Sequence, residues 1–519
     1  MSCITSIKLK NFKRFPAFKV DFDPELNVLI GDNEAGKSSI LTAIDIVLSG
    51  SKSKVEAIGL EGMFNVGAIE EFFARGKKYD ELPVLWIELY LDEQHNPDLN
   101  GKNNSESKIC DGLKLICEPN DDLSDEIREI LAQPGNNFPF EYYTIQFKSF
   151  SDYSYTGYKR FLRHVLIDNA QVNNEYATRE YVKAMYAGSV TSKDRQKQQN
   201  EYRKSKEVFK NDVLSSTNQT LANYAFGVRN SPKANLLTDL ILTEDEINIE
   251  QKGKGKQCFI KTEFALNKHS SNIDAILLEE PENHLSHLNM KRLIRKIRMN
   301  KGKQLFITTH NNLISTRLDL RKSILLNSNS VIPVLLKDLK DDTAKFFIKA
   351  PDNNIIEFVL SSKVILVEGD AEFMLIEEFF KNVVGEDPDF RGVHILSVGG
   401  KSFKRYLDLA KMLGIKTAVV RDNDGDYQKN CVDNYAPYAN PLLGVFADTD
   451  ASRYTFEVCV YQDNASLCET LFAGGRQTLS VQEYMLKNKA DVAFELLENI
   501  CEKVNPPSYI KEAIQWING

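Results

Sequence analysis

The order of apolar and polar residues along the chain predicts a series of strands alternating with helices. Residues 4–12 and 18–22 alternate apolar and polar side chains, the two-residue period of strands that bury one face. Residues 27–30 form a short apolar strand, and residues 38–47 have helical spacing. Further apolar strands are predicted at 84–91, 275–278, 304–310, 363–367 and 417–420. This order of elements indicates an α/β fold.

A polar stretch interrupts the pattern between residues 157 and 225. Its spacing is helical, and residues 193–203 contain no aliphatic side chain. We interpret it as a helical insertion within the first domain, and dimerisation, DNA contact and simple spacing all stay open as its role. The turn-rich residues 350–354 precede a new run of strands and helices, so we place the domain boundary after residue 350.

Length and composition describe an ordinary globular protein of two or three domains. The chain has 519 residues, and no apolar run approaches the roughly 20 residues that span a bilayer. Its start is polar and strand-like rather than a signal peptide, so we expect a cytoplasmic protein. The eight cysteines form no Cys-x-x-Cys pair, which favours free thiols over a zinc site or disulfides; they are Cys3, Cys110, Cys117, Cys258, Cys431, Cys459, Cys468 and Cys501.

Charge is distributed unevenly along the chain, whose net charge is −8. Residues 1–350 carry 49 basic and 47 acidic side chains, whereas residues 351–519 carry 16 and 26. So acidic a C-terminal part would repel a phosphate backbone unless cations neutralised it. Residues 158–210 carry 12 basic and 6 acidic side chains, which makes them a candidate contact for DNA, although a solvated helical surface explains them equally well.

A complete phosphate-binding loop follows the strand at 27–30. Its pattern is Gly-x-x-x-x-Gly-Lys-Ser, in which consecutive backbone N–H groups surround a β-phosphate. Lys37 would reach the β- and γ-phosphate oxygens, and the Ser38 hydroxyl would bind Mg²⁺. The loop therefore predicts ATP as a cofactor. The residues predicted to bind it here are Gly31, Asn33, Gly36, Lys37, Ser38 and Ser39.

Two later segments complete a site for ATP hydrolysis. The apolar strand at 275–278 ends in Glu279, which would hold the Mg²⁺ shell, and Glu280, which would orient or deprotonate the attacking water. The strand at 304–310 ends in His310, which by itself is more often a structural residue. Its position behind the other two motifs makes it a candidate sensor of the γ-phosphate.

These motifs, with Asn11 and Phe12 near the start, resemble the ATP-binding-cassette heads of SMC-type and related ATPases. Such heads carry a signature loop that contacts the γ-phosphate of a partner subunit. Gly255, in the segment 253–257, is the candidate here, although the usual serine before the glycines is absent. A flexible Gly/Lys loop is the alternative interpretation.

Two acidic clusters follow apolar strands in the last third of the chain. Glu368 and Glu372 come directly after one strand, and Asp422 and Asp424 directly after another. Functional groups of open α/β sheets collect at the carboxyl ends of strands, so these carboxylates should converge. Adjacent carboxylates disfavour one another's ionisation, and oxygen ligands favour Mg²⁺ or Mn²⁺. The sequence therefore predicts a divalent-metal site.

The acidic pattern resembles the Toprim (Rossmann-like) domain of topoisomerases, primases and certain nucleases. A cassette-type ATPase followed by Toprim is similar to the OLD (overcoming lysogenisation defect) nuclease family, which includes the nuclease subunit of Gabija-type phage defence. This resemblance implies a further metal ligand, Glu457, two residues after Thr455. It also implies that Lys489, at a predicted helix start, stabilises charge on the scissile phosphate.

The resemblance predicts an ATPase domain in residues 1–350 that controls a Toprim nuclease in residues 351–519. The expected activity is an ATP-regulated, two-metal DNA endonuclease, acting as a homodimer or larger assembly in antiphage defence. Some relatives work beside a second defence protein, or beside a reverse transcriptase with its small DNA. The alternatives are a non-nucleolytic ATP-driven DNA-binding protein and a Toprim enzyme acting on RNA or nucleotides.

Overall fold

The computed structural model divides the chain into two compact units. One comprises Met1–Ile314 and Lys322–Pro333, and the other comprises Ser315–Arg321 and Val334–Gly519. The described residues are 2–133, 137–157, 161–168, 175–220, 225–229, 235–266, 273–300, 302–328, 330–350, 354–400, 402–472, 474, 479–500 and 503–519.

The strands follow in chain order. They are β1 (Ile4–Phe12), β2 (Phe15–Asp21), β3 (Leu26–Gly31), β4 (Leu85–Leu91), β5 (Asn100–Gly101), β6 (Cys110–Pro119), β7 (Tyr143–Ser149), β8 (His164–Asp168), β9 (Thr243–Glu244), β10 (Ile247–Asn248), β11 (Ala275–Glu279), β12 (Gln304–Thr309), β13 (Ser323–Asn327), β14 (Ser330–Leu335), β15 (Lys363–Val367), β16 (Val393–Ser397), β17 (Lys416–Val420) and β18 (Leu443–Phe446).

The α-helices are interspersed among these strands. They are α1 (Lys37–Ser49), α2 (Lys52–Ile58), α3 (Leu60–Met63), α4 (Val66–Ala74), α5 (Ser124–Ala132), α6 (Glu175–Ser189), α7 (Ser192–Val208), α8 (Ser215–Asn218), α9 (Leu236–Asp239), α10 (Lys254–Leu266), α11 (His287–Met299), α12 (Asn312–Arg317), α13 (Asp341–Lys349), α14 (Ile355–Leu360), α15 (Asp370–Val384), α16 (Phe403–Leu413), α17 (Phe456–Asp463), α18 (Ala465–Phe472), α19 (Val481–Lys487), α20 (Lys489–Ile500) and α21 (Ser508–Asn518).

The first unit contains an antiparallel sheet of order β2-β1-β4-β6-β5, with β7 also paired to β6. Strand β1 pairs with β2 through a short turn and with β4 on its other edge. Its side chains at Ile7 and Leu9 are buried, whereas Lys10 is exposed, as the alternating pattern predicts. The two strands predicted at the start of the chain are confirmed.

A second sheet of this unit has the order β14-β13-β3-β12-β11-β8. Strands β13, β3, β12, β11 and β8 run parallel. The central strand β12 is buried along its whole length, as expected for a strand covered on both faces. Parallel pairing aligns Glu279 with Thr308 on one side and with Asp168 on the other. The carboxyl ends of β3, β8, β11 and β12 therefore meet at one edge, where the phosphate-binding loop begins.

Strand β8 lies inside the stretch that the sequence predicts to be helical, so that prediction is wrong for residues 164–168. The apolar run of β8 is only three residues long, too short for a period to be recognised. Its strand conformation depends on pairing with β11, more than 100 residues later in the chain. Parts of the predicted insertion, at 158–160, 169–174 and 221–224, lie outside the described residues.

The second unit is built on a four-stranded parallel sheet of order β16-β15-β17-β18. Helix α21 packs on β15 and β17, and α15 packs on α20 and α21. Four consecutive residues of β15, at 364–367, are fully buried, as expected for a central strand covered on both faces. The predicted strands at 363–367 and 417–420 are confirmed.

The compact units divide at residues 333 and 334, whereas the sequence analysis places the boundary after residue 350. Helix α13 belongs to the second unit, and Pro351–Asn353 of the turn-rich segment lie outside the described residues. Within the described residues, no helix combines the length and apolar character needed to cross a membrane. The cysteines in this part of the chain are free thiols.

A buried ion pair joins the helix after the phosphate-binding loop to strand β8. Oδ1 of Asp45 on α1 lies 2.8 Å from Nε2 of His164, and Nζ of Lys54 donates to both Asp45 oxygens at 2.8 Å. Burial alone would raise the pKa of Asp45. The hydrogen bond from His164 and the charge of Lys54 outweigh burial and hold the pKa well below its usual range.

We expect Asp45→Asn to destabilise the protein at pH 7 by about 3 kcal/mol, because it removes one partner of a buried pair. The lowered pKa means that the charged Asp45 contributes stability above its unfolded pKa, roughly 3.9, and loses it as pH falls through the folded value. The difference from wild type should therefore narrow below about pH 4. Urea unfolding between pH 7 and 3.5 measures it.

Asp125→Asn provides the matched control, because its carboxylate is 90% exposed and its ion pair with Arg128 lies at the surface. Such a surface pair contributes about 0–1 kcal/mol. Equal unfolding free energies for the two variants at pH 7 would contradict the stabilising role of Asp45.

Candidate functional site

The phosphate-binding loop is held in shape by two glycines. Gly36 has φ +91°, and a Cβ there would come within 2.4 Å of the Phe15 ring. A Cβ at Gly31 would come within 2.4 Å of the Leu326 carbonyl oxygen. Both positions therefore require glycine, one for its left-handed backbone and both for close packing.

Lys37 turns back over the loop that precedes it. Its Nζ donates to the carbonyl oxygens of Gly31 at 2.7 Å and Asp32 at 2.8 Å, and the side chain is buried. Burial lowers the pKa of Lys37, and the nearby charges of Glu280 and Asp32 oppose this. The ammonium group thus lies at the loop that would surround a phosphate. Asn33 and Ser38 are exposed, and Ser39 is half-buried.

Arg14 supports the same loop, a role that sequence reasoning missed. Its guanidinium donates to the Glu34 carbonyl at 2.5 Å, the Asn327 carbonyl at 3.1 Å and the Ser328 carbonyl at 2.7 Å. It therefore links the loop to the end of β13. The signal in the sequence was a basic residue two positions after Phe12, and no local pattern there indicates contact with the loop.

Glu279 lies at the end of β11 beside Ser38. Burial raises the pKa of Glu279, its hydrogen bond with Ser38 lowers it, and the charges of Asp168 and Glu280 raise it further. Lys13 lies near enough for its charge to favour ionised Glu279. The predicted meeting of Ser38 with Glu279 is therefore present, and Asp168 and Lys13 join it without having been predicted.

Glu280 and His310 also meet, together with a third residue. His310 Nδ1 lies 3.4 Å from Oε1 of Glu280 and 3.7 Å from Oε1 of Glu282. Glu282 is buried, and its Oε1 accepts hydrogen bonds from the Thr309 hydroxyl at 2.6 Å and the His310 backbone N–H at 3.1 Å. Burial raises the pKa of Glu282. Sequence reasoning passed over Glu282, although it lies only two residues beyond Glu280.

Gly255 lies in the first turn of α10, where a Cβ would come within 2.1 Å of the His284 carbonyl oxygen. The segment is thus a helix start rather than a flexible loop. Its role in contacting ATP of a partner subunit stays a prediction.

Four carboxylates of the second unit converge around the ends of β15 and β17. Glu368 follows β15 directly, Glu372 lies in the first turn of α15, and Asp422 lies two residues beyond β17. Glu457 belongs to the first turn of α17, whose N-cap is Thr455. The main-chain N–H of Phe456, between these last two residues, donates to Oδ1 of Asp422 at 2.8 Å.

The carboxylates of this cluster are close enough to shift the pKa values of two of them. Burial, together with the charges of Glu372, Glu457 and Glu368, raises the pKa of Asp422 to about 8. Burial, together with the charges of Glu457 and Glu368, also raises the pKa of Glu372 to about 7. Lys489 lowers both pKa values. The cluster thus carries more negative charge than its surroundings neutralise.

Lys489 is the cation within this cluster. Its Nζ donates to Oε2 of Glu457 at 2.9 Å. Burial lowers the pKa of Lys489, but this hydrogen bond and the charges of Asp422 and Glu372 outweigh burial and raise it. The lysine begins α20, the helix start that the sequence predicted.

Asp424 has a different environment. It is exposed, with φ 52°, and its Oδ2 accepts an N–H from Arg421 at 2.9 Å. Arg421 is buried and also donates to the carbonyl oxygens of Asp422 and Asn430. Asn423 ties the same turn to residues 448–453 through its side chain. A metal-binding role for Asp424 stays a prediction, and the contacts of Arg421 were not predicted.

The chemistry of the cluster fits a divalent metal ion, but its geometry is not preformed. Oε2 of Glu368 and Oε1 of Glu457 are buried and have no hydrogen-bond partner within the described residues. Unpartnered carboxylate oxygens in a negatively charged cluster are suitable ligands for Mg²⁺ or Mn²⁺. In that same part of the chain, however, no three His, Cys, Asp or Glu side chains are arranged as a metal-ligand set.

We expect Asp422→Asn to stabilise the protein in a chelating buffer at pH 8, by about 2 kcal/mol. The raised pKa means that the folded state resists ionisation of Asp422, so wild-type stability falls as pH rises from roughly 3.9 towards 8. The gain should shrink at pH 5, where the folded group is protonated. Thermal unfolding with EDTA at both pH values measures it, and a gain independent of pH would contradict the carboxylate repulsion.

Comparison with known proteins covers both units. Residues 3–314 match the model of the AAA ATPase domain, and residues 359–424 match that of the overcoming lysogenization defect protein-like TOPRIM domain. A segment of 44 residues is 48% identical to the DNA replication and repair protein RecF of Oenococcus oeni, covering 8% of this chain and 12% of that protein. The chain thus spans about an eighth of the curated relatives' length.

Two solved structures are similar in fold. The SMC head domain from Thermotoga maritima is 13% identical, with a TM-score of 0.30, covering 64% of this chain and 97% of that chain. The C-terminal region of the Xanthomonas campestris pv. campestris OLD protein is 21% identical, with a TM-score of 0.23, covering 30% of this chain and 94% of that one.

The first family model spans more than half of the chain and contains the phosphate-binding loop with its three acidic partners at 279, 280 and 282. The second contains the ends of β15 and β17, where the carboxylates converge. The chain therefore belongs to the AAA ATPase domain family, and its C-terminal unit carries a Toprim domain of the OLD type.

Proposed function

We propose that the chain is an ATP-regulated, divalent-metal-dependent DNA endonuclease of the OLD type. The observation that carries this proposal is the convergence of Glu368, Glu372, Asp422 and Glu457 around Lys489, with two buried carboxylate oxygens unpartnered within the described residues. Such a charge-dense acidic site is suited to holding cations against a phosphodiester.

In the first unit, Lys37 and the loop amides would bind the phosphates of ATP, with Ser38 and Glu279 holding Mg²⁺. Glu280 would orient or deprotonate the attacking water, and His310 would sense the γ-phosphate. The contact of His310 with both Glu280 and Glu282 supports this division of roles, because it connects the sensor with the base through a buried carboxylate.

In the second unit, Glu368, Glu372, Asp422, Glu457 and, after release from Arg421, Asp424 would hold the divalent ions. Bound ions would supply an activated water and stabilise the leaving 3′ oxygen. Lys489 would turn from Glu457 to the scissile phosphate, where its charge offsets the charge that develops. This positive charge would favour the ionised forms of Asp422 and Glu372, whose pKa values are raised by burial and by the neighbouring carboxylates.

The biological setting is part of the same proposal. We infer a homodimer or larger assembly that acts on foreign DNA in antiphage defence, in the cytoplasm. A second defence protein, or a reverse transcriptase with its small DNA, would be a partner of the kind that the family resemblance implies. These features rest on the family and not on any contact of this chain.

We expect Glu280→Gln to bind ATP within about threefold of wild type but to hydrolyse it at least about 100-fold more slowly, because glutamine cannot accept the proton of the attacking water. Equilibrium binding of a labelled ATP and steady-state phosphate release are the two measurements. Glu71→Gln, on the exposed face of α4, is the matched control. Hydrolysis that survives in Glu280→Gln would show that another residue is the base.

We expect Asp422→Asn and Glu457→Gln each to lower cleavage of supercoiled plasmid in Mn²⁺ or Mg²⁺ by at least about 100-fold, because each removes a ligand charge. Asp426→Asn is the matched control, since it lies in the same turn and is exposed. Conversion of supercoiled to nicked and linear plasmid on a gel gives the rate. Equal cutting by wild type and Asp422→Asn would point to a contaminant or to a different site.

A second candidate function is an ATP-driven DNA-binding protein whose Toprim unit does not cut. The observation that favours it is the absence, within the described residues, of a side-chain group already arranged to hold a metal ion. Calorimetric titration of Mn²⁺ separates the two, since only the nuclease should bind the ion and lose binding in Asp422→Asn. A parallel incubation with plasmid, single strands, tRNA and nucleoside triphosphates tests the Toprim enzyme acting on RNA or nucleotides.

A further inference from the structure

We propose that the exposed face of helix α11 is a docking surface for the phosphate backbone of duplex DNA. This inference rests on the proposed function for its choice of DNA as the substrate. It assigns the contact to a helix of the ATPase unit that immediately follows the ATP-hydrolysis residues.

Helix α11 is firmly attached to the unit by one face. Met290, Leu293, Ile294 and Ile297 are buried on that face. The helix starts at the N-cap Ser286, whose hydroxyl oxygen accepts the N–H of Asn289 at 3.4 Å. Because the apolar face is already used, the opposite face is presented outwards in a fixed orientation.

The opposite face carries only positive charge. The thirteen residues of α11 include five basic and no acidic side chains. Lys296 pairs with Glu263 of α10. The other four are exposed and have no ion pair within the described part of the chain: Lys291, Arg292, Arg295 and Arg298. Four unneutralised cations on one helix stand out in a chain whose net charge is −8.

Helix stability does not account for this pattern. A cation in the last turn, such as Arg298, interacts favourably with the helix dipole, but Lys291 and Arg292 lie earlier and gain nothing from it. Lys291 and Arg295 are four residues apart, a spacing at which like charges repel and destabilise a helix. Binding of an anionic ligand, which would relieve this repulsion between like charges, explains the pattern better.

Helix α7, in the stretch that the sequence analysis singled out for DNA, is less suitable. Its basic residues are interspersed with Asp194, Glu201 and Glu207. One of its lysines, Lys206, pairs with Asp239 of α9 at 3.5 Å. Helix α11 is therefore a better candidate than α7 for the contact with DNA.

The arrangement on α11 fits a nucleic-acid backbone better than a membrane or an apolar protein surface. Lys291 and Arg298 are separated by about 10 Å along the helix axis, at about 1.5 Å per residue. That length covers the axial rise of about three phosphates of one DNA strand, at about 3.4 Å each. The exposed apolar residues Leu288 and Met299 lie at opposite ends of the helix and form no continuous apolar face.

The position of α11 connects this surface with the ATP site. Glu282, which holds Thr309 and His310, lies four residues before the N-cap Ser286. The intervening His284 carbonyl packs against Gly255. DNA bound to α11 would therefore press on the segment that positions Glu280 and Glu282, so ATP hydrolysis should respond to DNA.

The test compares two variants of the full chain that lose the same charge. Lys291→Gln, Arg292→Gln and Arg295→Gln are combined in one variant, and Lys193→Gln, Lys197→Gln and Lys204→Gln on α7 in the control. Glutamine preserves helix propensity, so both should fold as wild type does. Binding of a fluorescent 30-base-pair DNA is followed by anisotropy from about 50 to 200 mM salt, with DNA-stimulated ATPase as the second readout.

We expect the α11 variant to bind DNA on the order of 100-fold more weakly at about 100 mM salt. A plot of the logarithm of its binding constant against the logarithm of salt concentration should be shallower, by the amount that corresponds to about three lost phosphate contacts. It should keep basal ATPase activity but lose stimulation by DNA, while the α7 variant stays near wild type. A variant with Arg292→Lys and Arg295→Lys should retain binding, because charge rather than a planar guanidinium makes the contact.

Unchanged DNA affinity in the α11 variant, or a loss confined to the α7 variant, would overturn the inference and leave the proposed nuclease function intact. A wild-type chain that binds anionic vesicles but no DNA would overturn the inference and also the choice of DNA as substrate. Cleavage of plasmid by the wild type, measured in the same preparation, distinguishes these two failures.

Discussion

The arrangement of the second unit depends on holding several carboxylates together at the ends of parallel strands. Burial and mutual repulsion push the pKa values of Asp422 and Glu372 towards and above neutrality, and Lys489 offsets only part of that charge. The sheet and its covering helices keep the acids in place, because the core formed by α15, α20 and α21 leaves the backbone little freedom. Carboxylates whose pKa values are strongly raised, and which a packed core holds close together, are typical of functional sites.

The ATPase unit also gathers several acidic side chains at strand ends, but with more positive charge close to them. Glu279, Asp168 and Glu280 gather at the ends of β8 and β11, opposite Lys37 and Lys13. Here the acids are better matched by cations, and glycine residues rather than helix starts bring the backbone close to the expected phosphates. Both sites use the same geometric rule, that parallel strands deliver their carboxyl ends to one edge.

The two basic surface helices, α7 and α11, differ in how far acidic residues accompany their cations. The surface cations of α7 share their helix with three acidic residues, and one of them, Lys206, pairs with Asp239, as is usual for a solvated helix. Helix α11 contains no acidic residue, and four of its five cations have no ion pair within the described residues, although the helix is otherwise well packed. Net charge alone could not separate the two helices. The distinction depends on which side chains find partners in three dimensions.

The sequence by itself determined the local elements and the residues of the phosphate loop, because glycine spacing and apolar periodicity depend on neighbours in the chain. It also placed Glu368 and Asp422 just beyond strand ends, where the structure has them. Only the tertiary structure decided that β8 is a strand, since its pairing with β11 spans distant residues. The same holds for Asp168, for Arg421 on Asp424 and for the four α11 cations that have no ion pair within the described residues, because each depends on the tertiary surroundings, which no local pattern encodes.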